Sequence, residues 1–218
     1  MDNHIMPISP SDIEKKSFEI IDSEVQTPRP FSGDEWLVAR RMIHTSADFE
    51  LLSLIRFHPE AVRIGRDILQ RGSIVITDTE MARMGISNNR MEKLGCTVKC
   101  FINAEAVKEK SRELNVTRAS AAVDHALPQL NDGIYVVGNA PTALLRLMKW
   151  VDEEVCRPAL IIGMPVGFVN AAESKDLLMS QNKVPFITIK GRKGGSALAA
   201  SAVNQLAVIA LERMEQSG

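Results

Sequence analysis

The chain has 218 residues, of which 45% are hydrophobic and only 5% aromatic, and its formal net charge is -1. That length and apolar content suit one α/β domain with a substantial core, while the near-neutral charge and scarce aromatics exclude a global basic field or a base-stacking surface for nucleic acid. No basic leader with an apolar core opens the sequence and no apolar run reaches membrane-spanning length, so the expectation is a cytoplasmic protein that engages no membrane.

In chain order, the region from about 10 to 58 reads as a helical segment packed on the domain that follows. Five short runs rich in β-branched residues come next: 73–77 (SIVIT), 97–101 (TVKCF), 134–138 (IYVVG), 159–163 (ALIIG) and 185–189 (PFITI). Their near-continuous hydrophobicity predicts buried strands of a parallel sheet covered on both faces. Helical patterns at 61–71, 103–112, 118–127, 140–152, 171–182 and 195–214 alternate with them. In the last, Ala199, Ala202, Val203, Leu206 and Ala210 keep one face. Alternation of this kind predicts a three-layer α/β sandwich, a mainly parallel sheet with helices on both faces, as a single domain over 1–218.

The loops after four of the strands are TDTEMARMG, GNAPTA, GMPVGFVNAAESK and IKGRKGGS. In an open parallel sheet they share the carboxyl edge, where ligands bind. They lack a G-x-S-x-G elbow and a Cys–His couple, and their Gly, Pro, Asn and Ser content suits shape-selective binding through backbone donors. In the last loop Lys193 precedes Gly194 and Gly195, the reverse of a Walker loop, and no G-x-G-x-x-G occurs. An anion still fits. The glycines permit close backbone approach, Arg192 can grip a carboxylate with two hydrogen bonds, Lys193 adds a point charge, and a helix N-terminus follows. The same loop fits equally a Gly-rich turn with solvated cations.

Residues 35–50 (EWLVARRMIHTSADFE) hold a second concentration of polar side chains. On a helix, Arg41 and His44 lie three apart on one face, with Arg40 adjacent, and an imidazole there can exchange a proton near neutral pH. Spacing leaves open a second role for His44, capping a helix-end carbonyl. Ser17 falls on the apolar side of IEKKSFEII, where a bond back to its own helix is the competing role. His58 and His125 read as structural or exposed. Asp48, Asp78 and Glu80 are acidic candidates that spacing does not pair. Cys96, Cys100 and Cys156 form neither a disulfide framework nor, with the four histidines, a metal-ligand pattern, so free buried thiols and no metal or cofactor are expected.

KSFEII, ARRMIHTSAD, ITDTEMARMGI, VGNAPTALLRL, PALIIGMPVGFVNAAESKDLL and PFITIKGRKGGSALAASAVNQL together resemble the precorrin-8X methylmutase family, including its cobalt-precorrin-8 relatives, over nearly the whole chain. The resemblance implies an isomerase of cobalamin biosynthesis that moves a methyl group from C-11 to C-12 of a corrinoid. It implies a flavodoxin-like fold, a homodimer with sites near the subunit interface, His44 as the catalytic histidine, and Ser17 and Arg41 as substrate contacts. With it, Arg192, Lys193, Gly194, Gly195 and Ser196 read as a cradle for the carboxylate arms of a corrinoid tetrapyrrole. The competing classes are a non-catalytic corrinoid carrier and a nucleotide-binding regulator, the latter disfavoured by the missing phosphate loop.

Overall fold

The computed structural model describes residues 9–217. The N-terminal segment forms α1 (Pro10–Glu24), α2 (Gly33–Ser46) and the single turn α3 (Leu51–Leu54), then a short strand β1 (Ile55–Phe57). The core follows as α4 (Ala61–Gln70), β2 (Ile74–Thr77), α5 (Glu80–Gly85), α6 (Asn88–Lys93), β3 (Thr97–Cys100), α7 (Glu105–Glu113), α8 (Arg118–Ala126), β4 (Ile134–Val137), α9 (Pro141–Asp152), β5 (Leu160–Gly163), α10 (Ala171–Ser180), β6 (Phe186–Ile189) and α11 (Ser196–Ser217). Local chemistry sets many of the starts. The side chains of Ser9, Thr79, Ser87 and Thr117 each accept a backbone N–H from the first turn of the helix they precede, which satisfies donors that the helix leaves open.

The sheet runs β1-β6-β5-β4-β2-β3, parallel except for β1, which pairs antiparallel with β6. Period two decides which layer each strand residue enters. On β4, Ile134 and Val136 join the core shared with α2, α4 and α11, while Tyr135 and Val137 join the core shared with α8, α9 and α10. Leu160 and Ile162 on β5 face the first layer and Ile161 the second. This is the expected three-layer α/β sandwich, and Ala199, Ala202, Val203, Leu206 and Ala210 are all buried as the helical face required.

Two details differ from the expectation. The N-terminal segment is not wholly helical: Ile55–Phe57 pairs with residues about 130 positions later (Ile55 with Ile189), a contact that three residues with a central Arg do not announce. And β3 is not a buried strand but the sheet's outer edge, with Thr97 and Lys99 exposed, which is where charged residues protect an unpaired strand. Cys96 and Cys156 are buried free thiols, as expected, and Cys100 is half-buried. No helix among the described residues is long and apolar enough to cross a membrane.

Candidate active site

Because β6, β5, β4 and β2 are parallel neighbours, their carboxyl ends deliver the four predicted loops to one edge. Asp78, directly after β2, is fully buried. Its carboxylate accepts the backbone N–H groups of Gly138 at 2.8 Å, Asn139 at 2.9 Å and Ala140 at 2.8 Å, at the start of α9. Burial pushes this carboxyl above its usual range, against the opposing pull of those N–H groups. The chain passes from β2 outward to β3 and then back across to β4, so β2 and β4 flank the switch point where such sheets commonly take a phosphate. Here an internal carboxylate occupies that helix N-terminus, which argues against the nucleotide-binding reading.

The 191–196 loop is held from below and behind. A Cβ on Gly138 would stand 2.6 Å from Ser196 Cα, and one on Gly194 would run into the carbonyl oxygens of Met164 and Pro165. The close approach that Gly194 permits is therefore to the chain's own loop. Gly195, at φ +128°, donates its N–H to Met164 O at 2.9 Å. Ser196 is buried and shares a 2.9 Å hydrogen bond with Thr79 Oγ1. Lys193 Nζ pairs with Asp48 Oδ2 at 2.5 Å and Glu50 Oε2 at 2.6 Å, just beyond the end of α2; the pairing raises Lys193 and lowers Asp48 from their usual ranges. Arg192 forms no ion pair among the described residues and lies 5.4 Å from the ring of Phe168, which is 83% exposed. Beneath the loop, fully buried Lys175 donates to Lys193 O at 2.5 Å, and burial lowers its ammonium to about 8.

The N-terminal helices supply the other wall. Ser17, Ile20, Ile21, Ile43, His44, Ala47 and Phe49 line a hollow of about 330 Å³ between α1 and α2. Ser17 Oγ donates back to Ile13 O at 2.8 Å, so the helix-internal bond is formed while the residue still faces the hollow. His44 is half-buried, makes no side-chain hydrogen bond among the described residues, and has its ring centroid 5.2 Å from that of Phe18. Phe18 also carries the guanidinium groups of Arg40 at 4.4 Å and Arg41 at 4.7 Å, a cation–π arrangement that fixes the face of α2 turned toward α1. Arg41 donates to Gln205 Oε1 at 3.0 Å and to Glu14 Oε1 at 2.5 Å. The turn from Ala47 to Glu50 joins the two halves: Ala47 and Phe49 line the His44 hollow, and Asp48 and Glu50 hold Lys193.

Of the predicted residues, Ser17, Arg41 and His44 are thus gathered on the α1–α2 wall and Arg192 to Ser196 on the sheet edge. His58 and His125 lie elsewhere; His58 Nδ1 accepts the N–H of Glu60, and the exposed His125 packs edge-on against Phe101. Sequence reasoning missed Lys175 and the clasp around Asp78. Lys175 had a signal: Ala171, Ser174, Lys175 and Leu178 are the buried stripe of α10, so a lysine stood at an apolar position of the helical pattern. Asp78 had none, since its partners are sixty residues away.

The model of the precorrin-8X methylmutase family matches residues 12–209, a span that includes every candidate site residue. This chain belongs to that family. Its members are methylmutases, enzymes of the isomerase class. Among curated relatives, the cobalt-precorrin-8 methylmutase of Priestia megaterium is 42% identical over 94% of this chain and 90% of its own length. The precorrin-8X methylmutase of Pseudomonas aeruginosa is 37% identical over 89% and 93%. The crystal structure of the precorrin-8X methyl mutase from Thermus thermophilus superimposes with a TM-score of 0.86 at 41% identity, covering 93% of this chain and 97% of that one.

Proposed function

We propose that this protein moves one methyl group of precorrin-8X, or of its cobalt-containing counterpart, from C-11 to C-12 of the macrocycle, giving hydrogenobyrinate or cobyrinate. The bond from C-11 to the methyl carbon breaks as the bond to C-12 forms, so composition is unchanged and no oxidant or reductant enters. The protein's task is to polarise the conjugated ring. His44 performs it as proton donor or acceptor toward a ring nitrogen, a preorganised contact of the kind that lowers barriers by roughly 3–4 kcal/mol. The observation that carries this reading is the His44 hollow, in which an imidazole without a side-chain hydrogen bond among the described residues shares the lining with the apolar side chains of Ile20, Ile43 and Phe49.

Ser17 and Arg41 contact the substrate beside His44. Arg192, Lys193 and the N–H groups of Gly194, Gly195 and Ser196 take carboxylate arms, Gly195 after releasing Met164 O and Lys193 by sharing its ammonium with Asp48 and Glu50. The active form is a cytoplasmic twofold homodimer. A hollow of about 330 Å³ is at the small end of ligand sites, too shallow to enclose a tetrapyrrole, and Met81, Met84, Val166, Phe168 and Val169 leave apolar surface exposed in the loops and short helix after β2 and β5. A partner's matching surface covers both. The test is incubation of purified protein with precorrin-8X. Turnover to a product of unchanged mass and altered visible spectrum supports the reading. Tight binding without turnover makes the protein a corrinoid carrier instead.

A further inference from the structure

A second hollow, about 360 Å³, lies beside the first, between α1, α2, α5, α6 and α11. Its lining includes the small residues Gly85, Ala197 and Ala200 and the polar residues Glu14, Arg41, Arg90 and Asn204. Asn204 is fully engaged with its own protein: Oδ1 accepts from Ser87 N and Nδ2 donates to Gly85 O, each at 2.8 Å. The two arginines are not matched by acids. Arg41, with a side chain only 15% exposed, is anchored by Gln205 and reaches Glu14. Arg90 forms no ion pair and no side-chain hydrogen bond among the described residues. Two guanidinium groups therefore meet one carboxylate, and Arg41 first, then His44 and Arg90, hold Glu14 below the usual carboxylate range.

Glu14 is the weakly fixed member of this cluster. Its side chain is half exposed on α1, and among the described residues its ion pair with Arg41 is its one bond to the hollow. Glu14 and Ser17 are one turn apart on α1, as are Arg41 and His44 on α2, so this hollow neighbours the His44 hollow along the same two helices. Ala197 places the far end next to Ser196, at the exit of the Gly-rich loop. A ligand filling the His44 hollow would thus extend its rim here.

We propose that this hollow is a carboxylate subsite for a peripheral arm of the macrocycle, with Arg90 a binding residue and Glu14 an internal occupant that the arriving carboxylate displaces from Arg41. It rests on the corrinoid reading above. Arm and Glu14 are the same functional group competing for one guanidinium, while Arg90 adds attraction for the arm that Glu14 leaves unused. The exchange keeps Arg41 paired in both states, so its mostly buried charge is never left bare.

The experiment is an absorbance titration of the full-length protein with hydrogenobyrinate, at low and moderate salt. Arg90→Ala is expected to weaken binding roughly 10- to 100-fold, as loss of one charge-assisted hydrogen bond does, with a shallower salt dependence. Glu14→Gln is expected to tighten binding several-fold by removing the competitor. Circular dichroism confirms that both variants fold, and Arg90→Lys keeps part of the affinity by preserving the charge. Unchanged affinity in Arg90→Ala, or weakened affinity in Glu14→Gln, overturns the subsite. Wild-type protein that fails to bind hydrogenobyrinate at all removes the corrinoid reading, and this inference with it, and is distinguished by that first titration alone.

Discussion

Replacing Lys175 by Met isolates the effect of a buried ammonium under the Gly-rich loop. The lysine is fully buried, its hydrogen-bond partner among the described residues is Lys193 O, and burial brings its ammonium from 10.5 to about 8. A displacement of that size corresponds to about 3 kcal/mol of differential interaction between the charged and neutral forms. The sign follows from proton counts. Between pH 8 and 10.5 the unfolded chain still holds this proton while the folded chain has released it, so stability contributed by the group rises with pH across that window. Below pH 8 both states are charged and the folded state bears the full cost. Urea unfolding of wild type and Lys175→Met at pH 7, 8, 9 and 10 is the assay, because every other titrating group cancels in the difference. Wild type should gain about 2–3 kcal/mol relative to the variant between pH 7 and 10. A difference independent of pH would show instead that Lys175 is solvated or paired in the folded protein.

Gly138→Ala should lower the melting temperature and weaken corrinoid binding together, because the new methyl meets backbone at Ser196 rather than a movable side-chain end; differential scanning calorimetry with an absorbance titration checks both. Asp78→Asn replaces an acceptor of three N–H groups by an amide with one oxygen, and should cost about 1–3 kcal/mol for each donor left unmet in a buried site, measured by chemical unfolding. Mixing inactive His44→Ala and Arg192→Ala subunits tests the dimer. Recovery of activity assigns the two residues to one site from different chains, failure with a confirmed mixed dimer assigns them to the same chain, and an active monomer in light scattering would contradict the dimer.

The parts of the fold written in local patterns were legible. Five strands and six long helices follow from runs of Val and Ile and from helical spacing, and the alanine face of α11 packs as its periodicity requires. What depended on distant partners was not. β1 exists because Ile55–Phe57 finds β6, and β3 is exposed because no strand follows it outward. Within the candidate site, Arg41 and His44 could be singled out from one helix face, Ser17 from the apolar side of its own helix, and all three from resemblance, yet spacing could not say that Ser17 bonds back to Ile13 or that Arg41 holds Glu14. The Gly-rich loop shows the same boundary. Its composition suggested donors aimed at a ligand, whereas Gly194 packs on Met164 and Pro165, and Lys193 is tied to Asp48 and Glu50. Those partners lie about 30 and 145 residues away, beyond any reading of a window.

His44 is proposed to promote migration of one methyl group around a bound corrinoid. Substrate carrying ¹³C in the C-11 methyl, followed by NMR during a single turnover, tests it most directly. Wild type should move the label to C-12 with no label released to solvent. His44→Ala should bind the labelled substrate with affinity near wild type while migration slows about 10²-fold or more, as loss of a general acid–base does. Label that migrates at the wild-type rate in His44→Ala, or that stays on C-11 in the wild type, would contradict the account.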